Sequence, residues 1–183
     1  YKCESEERSN DTIKRMMVMK MAKQGSEHKI KHEKLILAKI KDDTCIYLPK
    51  FYYSRQRPDY DNAIFTEFSK YSSLNSFLKN TYLYCSLPTK LYLLCSAAMG
   101  LLLLHTKNIY HLDFKPHNLL VGAALSLRVN DFGEAFHSQL CGVNYKPGFT
   151  LMYSSPEVCS GSGPFTASSD VYSLGITIFE VVF

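Results

Sequence analysis

No two of the six cysteines, at 3, 45, 85, 95, 141 and 159, stand in a C-x-x-C pair. That removes the usual signature of a structural zinc site. Their irregular spacing in a chain of 183 residues also speaks against a disulfide framework. Free thiols in a reducing, intracellular setting are expected, with the cytoplasm as the location. No run of Lys or Arg is long enough for a nucleic-acid tail, and the net charge of +4 is mild, so no nucleic-acid partner is expected. No uncharged apolar run reaches the ~20 residues of a membrane span. The longest, Leu91–Leu104 (LYLLCSAAMGLLLL), contains Ser and Gly and reads as a buried helix. No signal peptide, internal repeat or linker is visible. The chain starts without Met and stops inside the apolar stretch EVVF, so a piece of a longer protein is expected. The composition, 46% hydrophobic and 21% charged, is that of one globular domain with a real core.

Residues 16–21, MMVMKM, read as a strand with Val18 and Lys20 on one face and Met17, Met19 and Met21 on the other. Residues 26–41 read as a helix with Ser26 as N-cap. Helical spacing gives this segment an inward stripe of Ile30, Glu33, Leu37 and Ile40, which places a carboxylate on an apolar face. Burying it is costly unless it is paired, and a surface position at the edge of the stripe is the alternative. Strands are expected at 46–53 and 63–68, with SRQRPDYDN between them as a turn. A short helix at 72–79 and a long buried one at 87–105 follow. HLDFKPHN is a loop, because Lys-Pro disfavours continuing helix. Two short strands, 119–121 and 127–130, flank the turn GAALS, and an apolar helix starts at Ser169-Asp170.

His111–Val121, HLDFKPHNLLV, sets a dense polar cluster against an apolar run. Its Asp and Asn could simply cap a turn, with the Lys solvated. Chemistry is the other reading, and it gains from Asp131-Phe132-Gly133, eighteen residues after Asp113. Asn118 and Asp131 offer hard oxygens for Mg²⁺. Asp113 can orient a hydroxyl, and Lys115 can offset charge on a transferring phosphoryl group. Such a reaction needs positioning and electrostatics more than covalent chemistry.

In this order and spacing the chain resembles the eukaryotic protein kinase family over nearly its whole length. HLDFKPHN is similar to the catalytic loop H-R-D-x-K-x-x-N, and Asp131-Phe132-Gly133 matches D-F-G. Ser155-Pro156-Glu157 resembles A-P-E, and DVYSLG at 170–175 resembles the start of the family's buried central helix. Met17–Lys20 is similar to V-A-I-K, with Glu33 where the helix-C glutamate falls. The resemblance implies an α+β, bilobal fold: a small β-rich N-lobe at 1–68 and a mainly helical C-lobe at 69–183, both incomplete. It implies a serine/threonine protein kinase using ATP and Mg²⁺ on a protein substrate.

The roles implied are these. Asp113 is the base, and Lys115 and Thr150 assist it. Lys20, paired with Glu33, holds the α/β-phosphates. Val18, Thr66, Glu67, Phe68 and Leu120 surround adenine, Thr66–Phe68 as gatekeeper and hinge. Asn118 and Asp131 bind the metal, and His111 packs on Phe132. Lys115, two residues after Asp113, is similar to the serine/threonine branch of the family.

Several features depart from the pattern. Leu112 replaces the arginine that pairs with a phosphorylated activation loop, so phosphates on Ser138, Tyr145 or Thr150 would not be read in that way. No G-x-G-x-x-G is present, although Tyr1-Lys2-Cys3 resembles the strand that leaves such a loop. Glu157 has no arginine partner in the chain. A scaffold of the same fold that binds without transferring, and a small-molecule phosphotransferase, are the competing functions.

Overall fold

The computed structural model describes residues 16–22, 25, 27–41, 45–57, 60–81, 85–142, 145–161 and 164–183. The expected Ser26 cap and the Tyr1–Cys3 strand lie outside these residues. Three antiparallel strands form the sheet of the smaller part: β1 (Met17–Lys20), β2 (Phe51–Arg57) and β3 (Tyr60–Glu67), in the order β1-β3-β2. Helix α1 (Glu27–Ile40) packs on it through Ile30, Glu33, Ile36, Leu37 and Ile40. Glu33 is therefore inside, not at the edge of the stripe.

The first strand of the hairpin starts later than the sequence suggests. Residues 46–48 bend, and pairing begins at Phe51. Pro49 has no N–H to give to a ladder. The carbonyl of Tyr47 turns instead to the larger part and accepts from Val129 N at 3.0 Å. The expected turn 54–62 shrinks, because β2 runs on to Arg57 and β3 starts at Tyr60, with those two residues paired.

The larger part is mainly helical. Helix α2 spans Leu74–Thr81 and α3 spans Leu87–Thr106. The side chain of Ser86 accepts from Thr89 N, and Pro88 sits in the first turn, as helix starts favour. By length and composition α3 could cross a membrane. Here it is a core helix that buries Leu93, Leu94, Ala97, Leu101 and Leu104 against the rest. A Cβ at Gly100 would meet Val129 at 2.5 Å, so only glycine allows this approach to the ribbon beside it.

Strand β4 (Ile109–Tyr110) pairs with β7 (Phe136–His137), and β5 (Leu119–Val121) pairs with β6 (Leu127–Val129). A short helix, α4 (Pro156–Ser160), was not expected. Ser155 precedes it, Pro156 opens it and Gly161 closes it in the left-handed region at φ 60°. The last helix, α5, runs over Ala167–Val182 and packs on α3. It begins two residues before Ser169, and Asp170 lies buried in its first turn. The sheet-rich part, the helical part and the cleft between them make an α+β, bilobal architecture. The five described cysteines, Cys45, Cys85, Cys95, Cys141 and Cys159, are free thiols.

Candidate active site

A cavity of about 760 Å³ lies between the two parts. Val18, Lys20, Glu33, Thr66, Glu67, Phe68, Lys115, Asn118, Leu120, Asp131 and Thr150 all line it. Asp113 sits just behind, bonded to three of them. Segments up to 132 residues apart in sequence thus meet in one place, from Val18 to Thr150.

The roof is set by strand alternation. β1 pairs with β3 so that Val18 faces Thr66 and Lys20 faces Ile64, and all four line the cavity. Lys20 Nζ lies 2.5 Å from Glu33 Oε2 and 2.7 Å from Asp131 Oδ1. Only 3% of Glu33 is exposed. Burial raises its carboxyl above the usual range. The Lys20 ammonium pulls it back only in part, and the Asp131 carboxylate pushes it further up. The Glu33 oxygen beside the ammonium has the ion-pair distance but lacks hydrogen-bond alignment.

The floor is set by the HLDFKPHN loop. Asp170, fully buried at the start of α5, accepts from the backbone N–H of His111 at 2.8 Å and of Leu112 at 2.9 Å. His105 contacts the same carboxylate at 2.8 Å. These bonds hold Leu112 in the left-handed region at φ 60°, a conformation costly for a branched residue. The Leu112 side chain is 2% exposed and points into the core. His111 packs on Phe132, ring centroids 5.5 Å apart, and its Nε2 lies 2.9 Å from the Asn130 carbonyl.

After Leu112 the polar side chains converge. Lys115 Nζ donates to both Asp113 oxygens at 3.0 and 2.7 Å, and to Thr150 Oγ1 at 2.6 Å. Thr150 Oγ1 donates to Asp113 Oδ1 at 2.7 Å. Asn118 Nδ2 donates to the Asp113 carbonyl at 2.8 Å and to its carboxylate at 3.0 Å. With its amide nitrogen so engaged, Asn118 keeps its amide oxygen for the cavity it lines.

Asn118 and Asp131 therefore offer one amide and one carboxylate oxygen, a donor pair suited to Mg²⁺. Among the described residues no group of three or more His, Cys, Asp or Glu could hold a metal. An ion at this pair would complete its shell with phosphate oxygens and water, as Mg²⁺ commonly does.

Other residues of the site gave less signal. Ile64, Ser69, Lys70, Ser72, Ser73, His117, Asn130 and Tyr153 also line the cavity. Ile64 was legible by alternation from Thr66; the others carry no pattern of their own. Glu134 ties α1 to the segment before Thr150, contacting Lys29 and accepting from Gly148 N. His32 adds a 2.6 Å contact to the Ala135 carbonyl. Glu157, with no arginine partner among the described residues, accepts from Ser169 Oγ at 2.7 Å. Hydrogen bonding from Ser169 and from its own backbone N–H at the start of α4 holds its carboxyl low.

Comparison with known proteins agrees with this geometry. The family model described as protein kinase domain matches residues 1–183. The chain belongs to the protein kinase family. It is 32% identical over 161 residues, 86% of its length, to Probable serine/threonine-protein kinase gdt8 of Dictyostelium discoideum, covering 12% of that protein. It is 29% identical over 185 residues to Serine/threonine-protein kinase Aurora-1 of Arabidopsis thaliana, with 97% of this chain and 58% of that protein covered. To the Aurora kinase of Dictyostelium discoideum it is 30% identical over 160 residues, 84% of this chain and 38% of the other. The chain spans less than two thirds of the length of each of these relatives.

Proposed function

We propose that the protein containing this chain transfers the γ-phosphoryl group of ATP to serine and threonine hydroxyls of protein substrates. The observation that carries the proposal is the closed triangle of Asp113, Lys115 and Thr150. Its carboxylate can receive or orient a hydroxyl proton, and its ammonium can balance charge on the phosphoryl group. In this reading Lys20, steadied by Glu33, holds the nucleotide phosphates, and Asn118 and Asp131 hold Mg²⁺. Val18, Leu120 and the Thr66–Phe68 backbone are the adenine surroundings in this reading.

The buried Leu112 bears on control. A leucine turned into the core offers nothing to a loop phosphate, so activity should not depend on phosphorylation being read at this position. The free thiols suit a reducing compartment, and we place the protein in the cytoplasm.

The test is a radiolabelled phosphate-transfer assay of the full-length protein on a generic serine/threonine substrate, beside a Mg-ATP thermal shift. Transfer lost in Asp113→Asn supports the reading. A thermal shift without transfer in the wild type would replace it with a nucleotide-binding scaffold. Transfer only to small molecules would move it to the small-molecule phosphotransferases.

A further inference from the structure

Arg128 has no part in phosphate transfer, yet its side chain crosses from the larger part to the smaller. It lies on β6 opposite Leu120, on the cavity floor. Its Nη2 stands 3.1 Å from Oε2 of Glu67, the last residue of β3. The two side chains are 13% and 28% exposed. Glu67 Oε2 and Arg128 Nε are both buried with no hydrogen-bond partner among the described residues, so the contact has charge but little directional bonding. Desolvation offsets most of the attraction in such a pair, which makes it weak support for stability. Room for the guanidinium comes from Gly122, where a Cβ would lie 3.2 Å from Nη1 and 2.6 Å from Ser126 Oγ.

The chain just after Glu67 shows what the pair can do. Tyr71 N donates to Val121 O at 2.9 Å, and Val121 N donates to Ser72 O at 2.8 Å. These backbone bonds fasten the crossover to β5 from Tyr71 onward. Without Arg128, among the described residues no hydrogen bond or ion pair would join Glu67–Lys70 to the β5–β6 ribbon. With it, the unjoined length falls to Phe68–Lys70, three residues.

We propose that Glu67 and Arg128 form a positioning strut that confines bending between the two parts to Phe68–Lys70. The strut fixes the height of the Glu67–Phe68 backbone over Leu120, the gap in which a flat base would lie. Its effect on nucleotide rests on the kinase reading, whereas its effect on the crossover does not.

Two measurements on the full-length protein test it. One is amide hydrogen exchange at Tyr71 and Val121 without nucleotide. The other is affinity for a fluorescent ADP analogue with Mg²⁺. Arg128→Met and Glu67→Gln should each speed that exchange and weaken ADP binding by about tenfold, a typical coupling between linked sites. Each single variant strands a buried partner and should lower the melting temperature, whereas Glu67→Gln/Arg128→Met should recover most of that loss and keep the fast exchange and weak ADP binding. Arg128→Lys should keep most of the affinity, and the swap Glu67→Arg/Arg128→Glu should recover much of it. Should Arg128→Met fold poorly, Gly122→Ala crowds the same guanidinium without deleting it and should act in the same direction. Unchanged exchange in the single variants, losses that track melting temperature, or a swap no better than the singles would each overturn the strut. A wild-type protein that binds no ADP would sink the nucleotide reading, and exchange would still decide the strut.

Discussion

Three of the four polar side chains bonded together at the floor of the cavity come from eight consecutive residues, whereas the ion pairs at its roof join three segments far apart in sequence. On the floor, Asp113, Lys115, Asn118 and Thr150 satisfy one another with directional hydrogen bonds, and buried Asp170 locks the backbone beneath them. On the roof, Lys20 of β1 donates to Asp131 at 2.7 Å but meets Glu33 of α1 as an ion pair, with the Glu33 oxygen buried and without an aligned bond. A cluster close in sequence and stapled by backbone should survive perturbation locally. A cluster held across elements by charge should transmit it. The floor should therefore fail in chemistry and the roof in assembly.

The largest effect separates the two. Asp113→Asn should lower transfer by roughly 10²–10⁴-fold, the range for losing a positioned acid–base group. Affinity for ADP should hardly move, while melting temperature should drop modestly, because Asn keeps the shape but sets an NH2 where one oxygen accepted from Lys115. A large loss of ADP affinity in this variant would mean that the floor also builds the nucleotide site, and the division would fail.

Lys20→Met should act on both properties. It strips the phosphates of their ammonium and leaves Glu33 buried without its cation. Breaking a buried pair from one side costs about 3 kcal/mol or more. Adding Glu33→Gln should recover most of the melting temperature and none of the transfer. If the double variant melts no higher than Lys20→Met, the unpaired carboxylate is not the cause.

Legibility in the sequence follows the same division. The floor could be read because its residues lie close together, and only Thr150 had to come from elsewhere. Glu33 was legible as an oddity, since helical spacing put a charge among Ile30, Leu37 and Ile40, and strand alternation placed Val18 and Lys20 on one face. Neither pattern says that the two faces meet; the family resemblance supplied that. Arg128 left no trace, because a single polar residue between Leu127 and Val129 is what any half-buried strand shows. The bend at 46–48 follows from Pro49, but the bond that compensates for it, Val129 N to Tyr47 O, is long-range. Helix α4 hid in a polar stretch that is marked only by Pro156 and Gly161.

Thr150→Ala is a smaller probe of the floor. It removes one hydroxyl that accepts from Lys115 and donates to Asp113, bonds worth about 1 kcal/mol each. The Lys115–Asp113 contact remains, so kcat/KM should fall by about tenfold, with Thr150→Ser close to wild type. A loss as large as that of Asp113→Asn would make the hydroxyl essential and not merely supportive.

The smallest effect is a pH trend on the roof. Burial holds the Glu33 carboxyl above its ordinary value of 4.5. Between that value and the raised one, the folded protein binds more protons at this site than the unfolded chain, so the site's contribution to stability falls as pH rises through the window. Glu33→Gln has no such slope. Measured without metal or nucleotide, its melting temperature relative to wild type should climb from about pH 5 to about pH 8. A difference that shrinks with rising pH would mean that attraction to Lys20 outweighs the cost of burial. The roof would then be as well satisfied as the floor, and the contrast between them would reduce to sequence distance alone.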